Sequence, residues 1–430
     1  MASIKLPELP KEKEFEEYIS ALFQSSGYFI ERSMIDREEG EEVLELDIVI
    51  TDYDQKSSNS RLVEVKSGKY GFPDIFKVRG WMDYLNFEQG MFIVQNETDK
   101  FNFYKEKAKN LNIELISVAN LTEFNIEEIV GKKEVDPLDI TVWRFSYWVE
   151  RNLLKLLNDY ASSQKERLCY KCLKNYYFQL NSDAFFTENV IERVNKIYGT
   201  FNRFYRISAR CGNELEGKSF KDAHRNIPNN IFSDTYYKCN LNPIQISTFI
   251  EHKARLILLK NAVDYIILRE NDEKKDVIQI LELASLPRSF HRALRKIREH
   301  EYVHRYPVFW QWFIRLFGGF ILLDYEDEEY ELFSKKTGIP QDEIPNALEA
   351  YELLFPQKDG WFMDLSKNSL NVKLMKMFPV PFRGIGAFYR NNVYTESNKY
   401  KDLKCGGLTI CDLVKWHHLG YEVLKRGYKE

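Results

Sequence analysis

With 430 residues, 44% of them hydrophobic, the chain has apolar content enough for real cores in two or three domains. Six scattered cysteines argue against a disulfide framework, and an amino terminus without an apolar stretch argues against a signal peptide, so the expected setting is the reducing cytoplasm. The net charge of −4 hides an asymmetry: through Val135 there are 17 basic and 27 acidic residues, and from Asp136 onward 44 and 38.

Lys11–Ser26 sets Phe15, Ile19, Leu22 and Phe23 at helical spacing ahead of Gly27, which predicts an amphipathic helix. Two strand-like runs follow, Val43–Ile50 and Arg61–Gly68. Strand side chains alternate faces, so Leu44, Leu46, Ile48 and Ile50 point one way and Glu45 and Asp47 the other. In the second run Glu64 and Lys66 share a face, opposite Val63 and Val65. The segment between, Asp52–Ser60, is polar and turn-rich and predicts an antiparallel hairpin that gathers Asp47, Glu64 and Lys66. Asp74–Phe87 then reads as a helix, Gly90–Gln95 as a strand, Phe101–Asn110 as a helix and Ile113–Val118 as a strand.

Two carboxylates converging on a strand pair repel each other unless a cation lies between them. Hard oxygen ligands beside an ammonium suit Mg²⁺, with Mn²⁺ as the alternative, better than zinc. Such a group can polarise a phosphoryl oxygen and activate water while the lysine steadies negative charge. The competing interpretation is a hairpin with a wet, charged face, since a Glu-x-Lys tripeptide is common.

The flanking pieces decide between these. Glu14–Ile19 with Ser26-Gly27-Tyr28, Leu46–Ile50, Val63–Gly68, Gly90–Val94 and Asn112–Ser117 together resemble the PD-(D/E)XK nuclease superfamily, most closely its Mrr-like restriction endonuclease branch, over about residues 11–121. The resemblance implies a restriction-endonuclease-like α/β domain in which Asp47 and Glu64 ligate the metal and Lys66 is the catalytic lysine. Glu16 would complete the acidic cluster, with Glu14 and Glu17 as rivals. It also implies DNA as the favoured substrate and the 3′ oxygen as leaving group. Leu46 replaces the proline of the superfamily's name, and Glu64 stands where many Mrr-like enzymes have glutamine; neither change removes a ligand.

Lys69, Lys77 and Arg79 follow the second strand and could meet phosphates, or form a solvated helix face. Trp81, Tyr84 and Leu85 read as core, and Ser67 falls outside the catalytic set. Gly131–Pro137 breaks the pattern and places a boundary between a domain at 1–132 and a larger, mostly helical region at 137–430, with a subdivision near 335–357. Helices are expected over Ile140–Tyr160, from Pro243 through Leu268, and within Leu281–His304. In the last, Phe290, Leu294 and Ile297 form one face and Arg288, Arg292 and Arg295 the opposite one, with Lys296 and Arg298 on the flanks, a stripe able to hold a phosphate backbone or simply to face water. Arg295 and His300 also fit the short R-x-x-x-x-H spacing of HEPN-type ribonucleases.

Val308–Leu323, interrupted by Gln311 and Arg315, is too short for a bilayer span and reads as a buried helix; no membrane association is expected. Its aromatic cluster, Phe309, Trp310, Trp312, Phe313 and Phe317, reads as core or subunit interface, as do Trp361, Phe362, Phe382, Phe388 and Tyr389. Prolines at 340–356 and 379–381 mark loops. Cys169 and Cys172 form one C-x-x-C, but Cys211, Cys239 and His224 are too irregularly placed to complete a zinc site, and Cys405, Cys411, His417 and His418 read as structural. The function expected is a Mg²⁺-dependent endonuclease of restriction or host defence, as a homodimer or triggered by a partner protein. A non-catalytic binding protein on the same fold and a ribonuclease are the alternatives.

Overall fold

The computed structural model describes residues 10–39, 41–54, 56–118, 135–162, 168–187, 189–198, 243–270, 287–357, 360–367 and 370–375, with isolated positions between 382 and 393. The chain divides into two compact units. One comprises Leu6–Trp148 with Phe178–Asn189; the other comprises Val149–Tyr177 and Val190–Glu430, together with Met1–Lys5.

The first unit is built on a mixed five-stranded sheet. Helix α1 (Lys13–Ser25) leads into β1 (Phe29–Glu38), β2 (Glu41–Asp52) and β3 (Asn59–Lys66); then come α2 (Phe72–Leu85), β4 (Gly90–Val94), α3 (Phe101–Lys109) and β5 (Ile113–Ser117). Strand order follows the sequence. β1, β2 and β3 are antiparallel neighbours, and β3, β4 and β5 run parallel, with α2 and α3 as the crossovers that parallel pairing requires. This is the predicted order with one addition, β1. Its sequence hides it: Phe29 and Ile30 are both buried, so alternation fails at once, and Ser33 has a positive φ of 52° in mid-strand.

Phe15, Ile19, Leu22 and Phe23 of α1 are fully buried, as the helical spacing required. Below α2, Ile75, Val78 and Met82 pack on Leu62, Phe92 and Val94 in one cluster, with Trp81 and Leu85 partly buried against it. Tyr84 departs from expectation: it is 52% exposed, its hydroxyl donating to Asp36 Oδ2 at 3.2 Å. The unit also draws in later residues. Tyr147 donates to Gln24 Oε1 at 3.0 Å, and Asn181 Nδ2 reaches the Ser33 carbonyl at 3.4 Å.

The second unit is mostly helical. Among its described helices are the remainder of α4 (Pro137–Ser162), most of α5 (Leu168–Asn181), α6 (Pro243–Glu270), α7 (Arg288–Ile297), α8 (Tyr306–Arg315), α9 (Glu326–Thr337) and α10 (Ile344–Leu354). The apolar run at Val308–Leu323 is buried but is not one helix. It ends at Arg315, turns through Gly318 and Gly319, both at positive φ, and enters β6 (Phe320–Leu322), which pairs with β8 (Leu370–Met375), itself paired to β7 (Phe362–Lys367). Phe309, Trp310, Trp312, Phe313 and Phe317 are all fully buried; Trp310 stacks on Tyr351 at 4.3 Å between centroids and donates to the Ala347 carbonyl. Beneath them, buried Arg390 spends its guanidinium on both oxygens of buried Glu329 and on the carbonyls of Phe317, Phe320 and Gly386.

Cys172 is a free, half-buried thiol. The cysteines and histidines at 211, 224, 239, 405, 411, 417 and 418, and Phe388 with the prolines at 379 and 381, lie outside the described residues, as does the side chain of Cys169. Among the described residues no helix is long and apolar enough to cross a membrane.

Candidate active site

The hairpin of β2 and β3 is regular from Asp52↔Asn59 to Ile48↔Val63, and its backbone pairing stops there. One step further, the Asp47 side chain substitutes for the ladder: its Oδ2 accepts the Val65 N–H at 3.0 Å. Glu64 and Lys66 project from the same stretch of β3, beside Phe92 and Val94 at the carboxyl end of β4. β3 stays paired with its parallel neighbour as far as Lys66↔Val94 after its pairing with β2 has ended.

Lys66 Nζ lies 2.8 Å from Glu64 Oε1. The other carboxylate oxygen, Oε2, is buried and has no hydrogen-bond partner among the described residues. Glu64 is only 4% exposed; burial and the neighbouring Asp47 charge push its carboxyl up to about 7, against the pull of Lys66 and Lys77. Burial works against the Lys66 ammonium, but its hydrogen bond to Glu64 and the charges of Glu64, Asp47 and Asp74 outweigh it and leave its pKa raised.

Glu16 is also buried on α1, and its carboxyl too is raised, first by burial and then by Asp47. Glu14 and Glu17 lie close enough to act on Arg144. Lys13, one helical turn earlier, straddles the Glu16 oxygens at 3.1 and 3.2 Å and reaches Glu45 Oε1 at 3.4 Å. Arg32 of β1 adds a second positive charge toward Glu16 while lying 4.4 Å over the Tyr147 ring. Neither cation was anticipated from the sequence. The i, i+3 spacing of Lys13 and Glu16 was a usable signal; Arg32 was hidden with its strand.

Of the other basic residues, Lys77 is exposed, lies over the Trp81 ring at 4.2 Å and acts on Glu64, so it faces this site; Lys69 is exposed. Arg79 is placed elsewhere. It pairs with Asp83 and donates to the Leu111 carbonyl, lining a cleft with Gly90 and Ile113 at the opposite ends of β4 and β5. The Ser67 hydroxyl accepts the Glu12 N–H at 2.8 Å, anchoring the approach to α1.

Among the described residues no group of three His, Cys, Asp or Glu side chains is gathered closely enough to enclose a metal ion. The donor chemistry of Asp47 and Glu64 nonetheless fits a hard divalent cation. A buried oxygen of Glu64 has no hydrogen-bond partner among the described residues, and burial with the Asp47 charge raises the Glu64 carboxyl, which is the strain a cation relieves.

That strain is measurable. Because the Glu64 carboxyl titrates above its ordinary 4.5, the folded state keeps a proton that the unfolded chain has released. Its contribution to stability is whole below about pH 4.5 and is lost as pH rises toward 7. Glu64→Gln removes this dependence, so between pH 5 and 8 the metal-free variant should gain on the wild type by on the order of 2 kcal/mol. Parallel thermal melts check it, and identical pH dependence in the two proteins would mean that Glu64 titrates normally.

Residues 10–124 match the family model described as restriction endonuclease, that of the Mrr catalytic domain. No curated protein and no solved structure matches the chain. The amino-terminal domain, a five-stranded mixed sheet with helices, is therefore similar to restriction endonucleases.

Proposed function

We propose that the amino-terminal domain is a divalent-metal-dependent endonuclease that hydrolyses phosphodiester bonds, with DNA the favoured substrate. The observation that carries this is the partnerless buried oxygen of Glu64, set beside Asp47 and tied through its other oxygen to Lys66, within a domain that matches a restriction endonuclease family. Asp47, Glu64 and Glu16 would hold the ion, Mg²⁺ in the first instance and Mn²⁺ as its substitute. When bound, it would supply Lewis-acid polarisation of the phosphoryl oxygen and acidify a water.

The chain's own groups do the remaining work. Asp47 is oriented by the Val65 N–H, so its carboxylate is held before any substrate arrives. Lys66, with its pKa raised, stays charged at neutral pH and can steady either the attacking oxygen or the developing charge on the phosphate. Lys77 and Lys69 are exposed cations suited to flanking phosphates, where they would position the strand without reading its sequence. The larger helical region would recruit substrate or sense a trigger in a cytoplasmic restriction or defence role, alone, as a homodimer or with a partner protein.

Incubation of the purified protein with supercoiled plasmid in Mg²⁺, Mn²⁺ or chelator tests the reading, with a structured RNA in parallel. Nicking that appears with metal and vanishes with chelator is expected for the plasmid. Cleavage of RNA alone would move the substrate class. Binding of either nucleic acid with no cleavage under any metal would favour a docking protein on a nuclease fold.

A further inference from the structure

Helix α7 (Arg288–Ile297) keeps its two faces apart. Phe290, Ala293, Leu294 and Ile297 are buried, while Arg288, Arg292, Arg295 and Lys296, with Arg298 just beyond, are exposed. At about 100° per residue the first four exposed cations span an arc of roughly 100°. No acid occurs from 288 to 298; the next are Glu299 and Glu301, past the helix end. None of the five side chains makes an ion pair or hydrogen bond among the described residues.

An ordinary solvated helix face mixes signs, because i, i+3 and i, i+4 neighbours of like charge repel. Here Arg288 and Arg292, Arg292 and Lys296, and Arg292 and Arg295 are all such neighbours, and all are positive. The helix dipole favours Arg295 and Lys296, in the last turn, but not Arg288. Arg288 lies in the first turn, at the positive end, where an anion is favoured and a cation is not. Among the described residues no acid offsets this like-charge repulsion, and an anion from outside would relieve it.

We propose that this face is a second nucleic-acid contact, one that grips the phosphate backbone of a duplex without reading its bases. From Arg288 to Arg295 the helix rises about 10.5 Å, roughly three base-pair steps of duplex axis at 3.4 Å each, so the cations are spread over a length that carries several phosphates. The proposal goes beyond the nuclease reading, because it assigns an interaction surface in the other unit and requires no catalysis. It also gives the excess of basic residues after Asp136 a location.

The test measures binding of the full-length protein to a short fluorescein-labelled duplex by anisotropy, in chelator, across a salt series. Arg292→Ala/Arg295→Ala/Lys296→Ala should weaken binding at least about tenfold and lower the slope of log K against log salt by about 3. Arg292→Lys/Arg295→Lys should keep affinity and slope close to wild type. Unchanged affinity and slope in the alanine variant would overturn the proposal, as would equal loss in the lysine variant or a wild type that binds no duplex. Plasmid cleavage with metal is scored separately: cleavage by a wild type whose slope does not depend on α7 leaves the nuclease reading standing and removes this one, and the reverse result does the opposite.

Discussion

Lys66→Ala should lose at least about 10²-fold of metal-dependent plasmid nicking while binding duplex DNA within about twofold of wild type. The expectation follows from where the ammonium lies. It is 2.8 Å from a glutamate that is 4% exposed, on the last residue of β3, with Asp47 and Asp74 contributing to its field. A group so placed contributes mainly to a charge that develops during reaction, and little to holding the strand, which the exposed Lys69 and Lys77 can do. Lys66→Arg should rescue poorly, because a planar fork does not replace a compact ammonium. Asp47→Asn provides the complementary loss, since it removes a donor for the ion while keeping a side-chain acceptor for the Val65 N–H. Loss of binding in step with cleavage would assign Lys66 to substrate affinity, and full activity in Lys66→Ala would remove it from the mechanism.

The largest effect on stability is expected at Glu329 and Arg390. Both are buried, at 0% and 2% exposure, and the guanidinium meets both carboxylate oxygens, the nearest at 2.6 Å. Arg390 also lies 4.0 Å over the Phe320 ring and donates to the Phe317 and Phe320 carbonyls. Glu329→Ala strands a guanidinium in an apolar core and should cost about 3–5 kcal/mol, read as a lower urea midpoint for the fluorescence of the buried Trp310 and Trp312. Arg390→Met should cost a similar amount by stranding the carboxylate. The double change Glu329→Leu/Arg390→Met should be milder than the sum of the single ones, because no charge is left uncompensated. Recovery stays incomplete, since three carbonyls, those of Phe317, Phe320 and Gly386, lose a donor. Strict additivity would show that the pair is not energetically coupled.

The amino-terminal domain was legible because its elements are short and obey simple periods. Phe15, Ile19, Leu22 and Phe23 fall on one helical face whatever the helix packs on, and Asp47, Glu64 and Lys66 fall on strands bounded by a polar turn. The same holds for α7, where the 3.6-residue period alone separates Phe290, Leu294 and Ile297 from the arginines. β1 was not legible, because a strand with adjacent buried residues and a positive φ at Ser33 has no alternation to detect. The run at Val308–Leu323 misled in a related way: apolar content predicts burial, and only Gly318 and Gly319 hinted that the buried chain turns into a strand.

What the sequence by itself determined is therefore local: which residues share a face of one element, and that an acid pair and a lysine lie on neighbouring strands of a restriction-endonuclease-like domain. The tertiary structure decided everything that depends on how elements meet. It set Glu16 within the field of Asp47; it put Arg79 at the far end of the sheet; it brought Lys13 and Arg32 to Glu16; and it joined Glu329 to Arg390 across 61 residues. The physical reason is that periodicity fixes directions within an element, while the rotation of a helix over a sheet and the point where two strands part are set by packing among residues far apart in the chain.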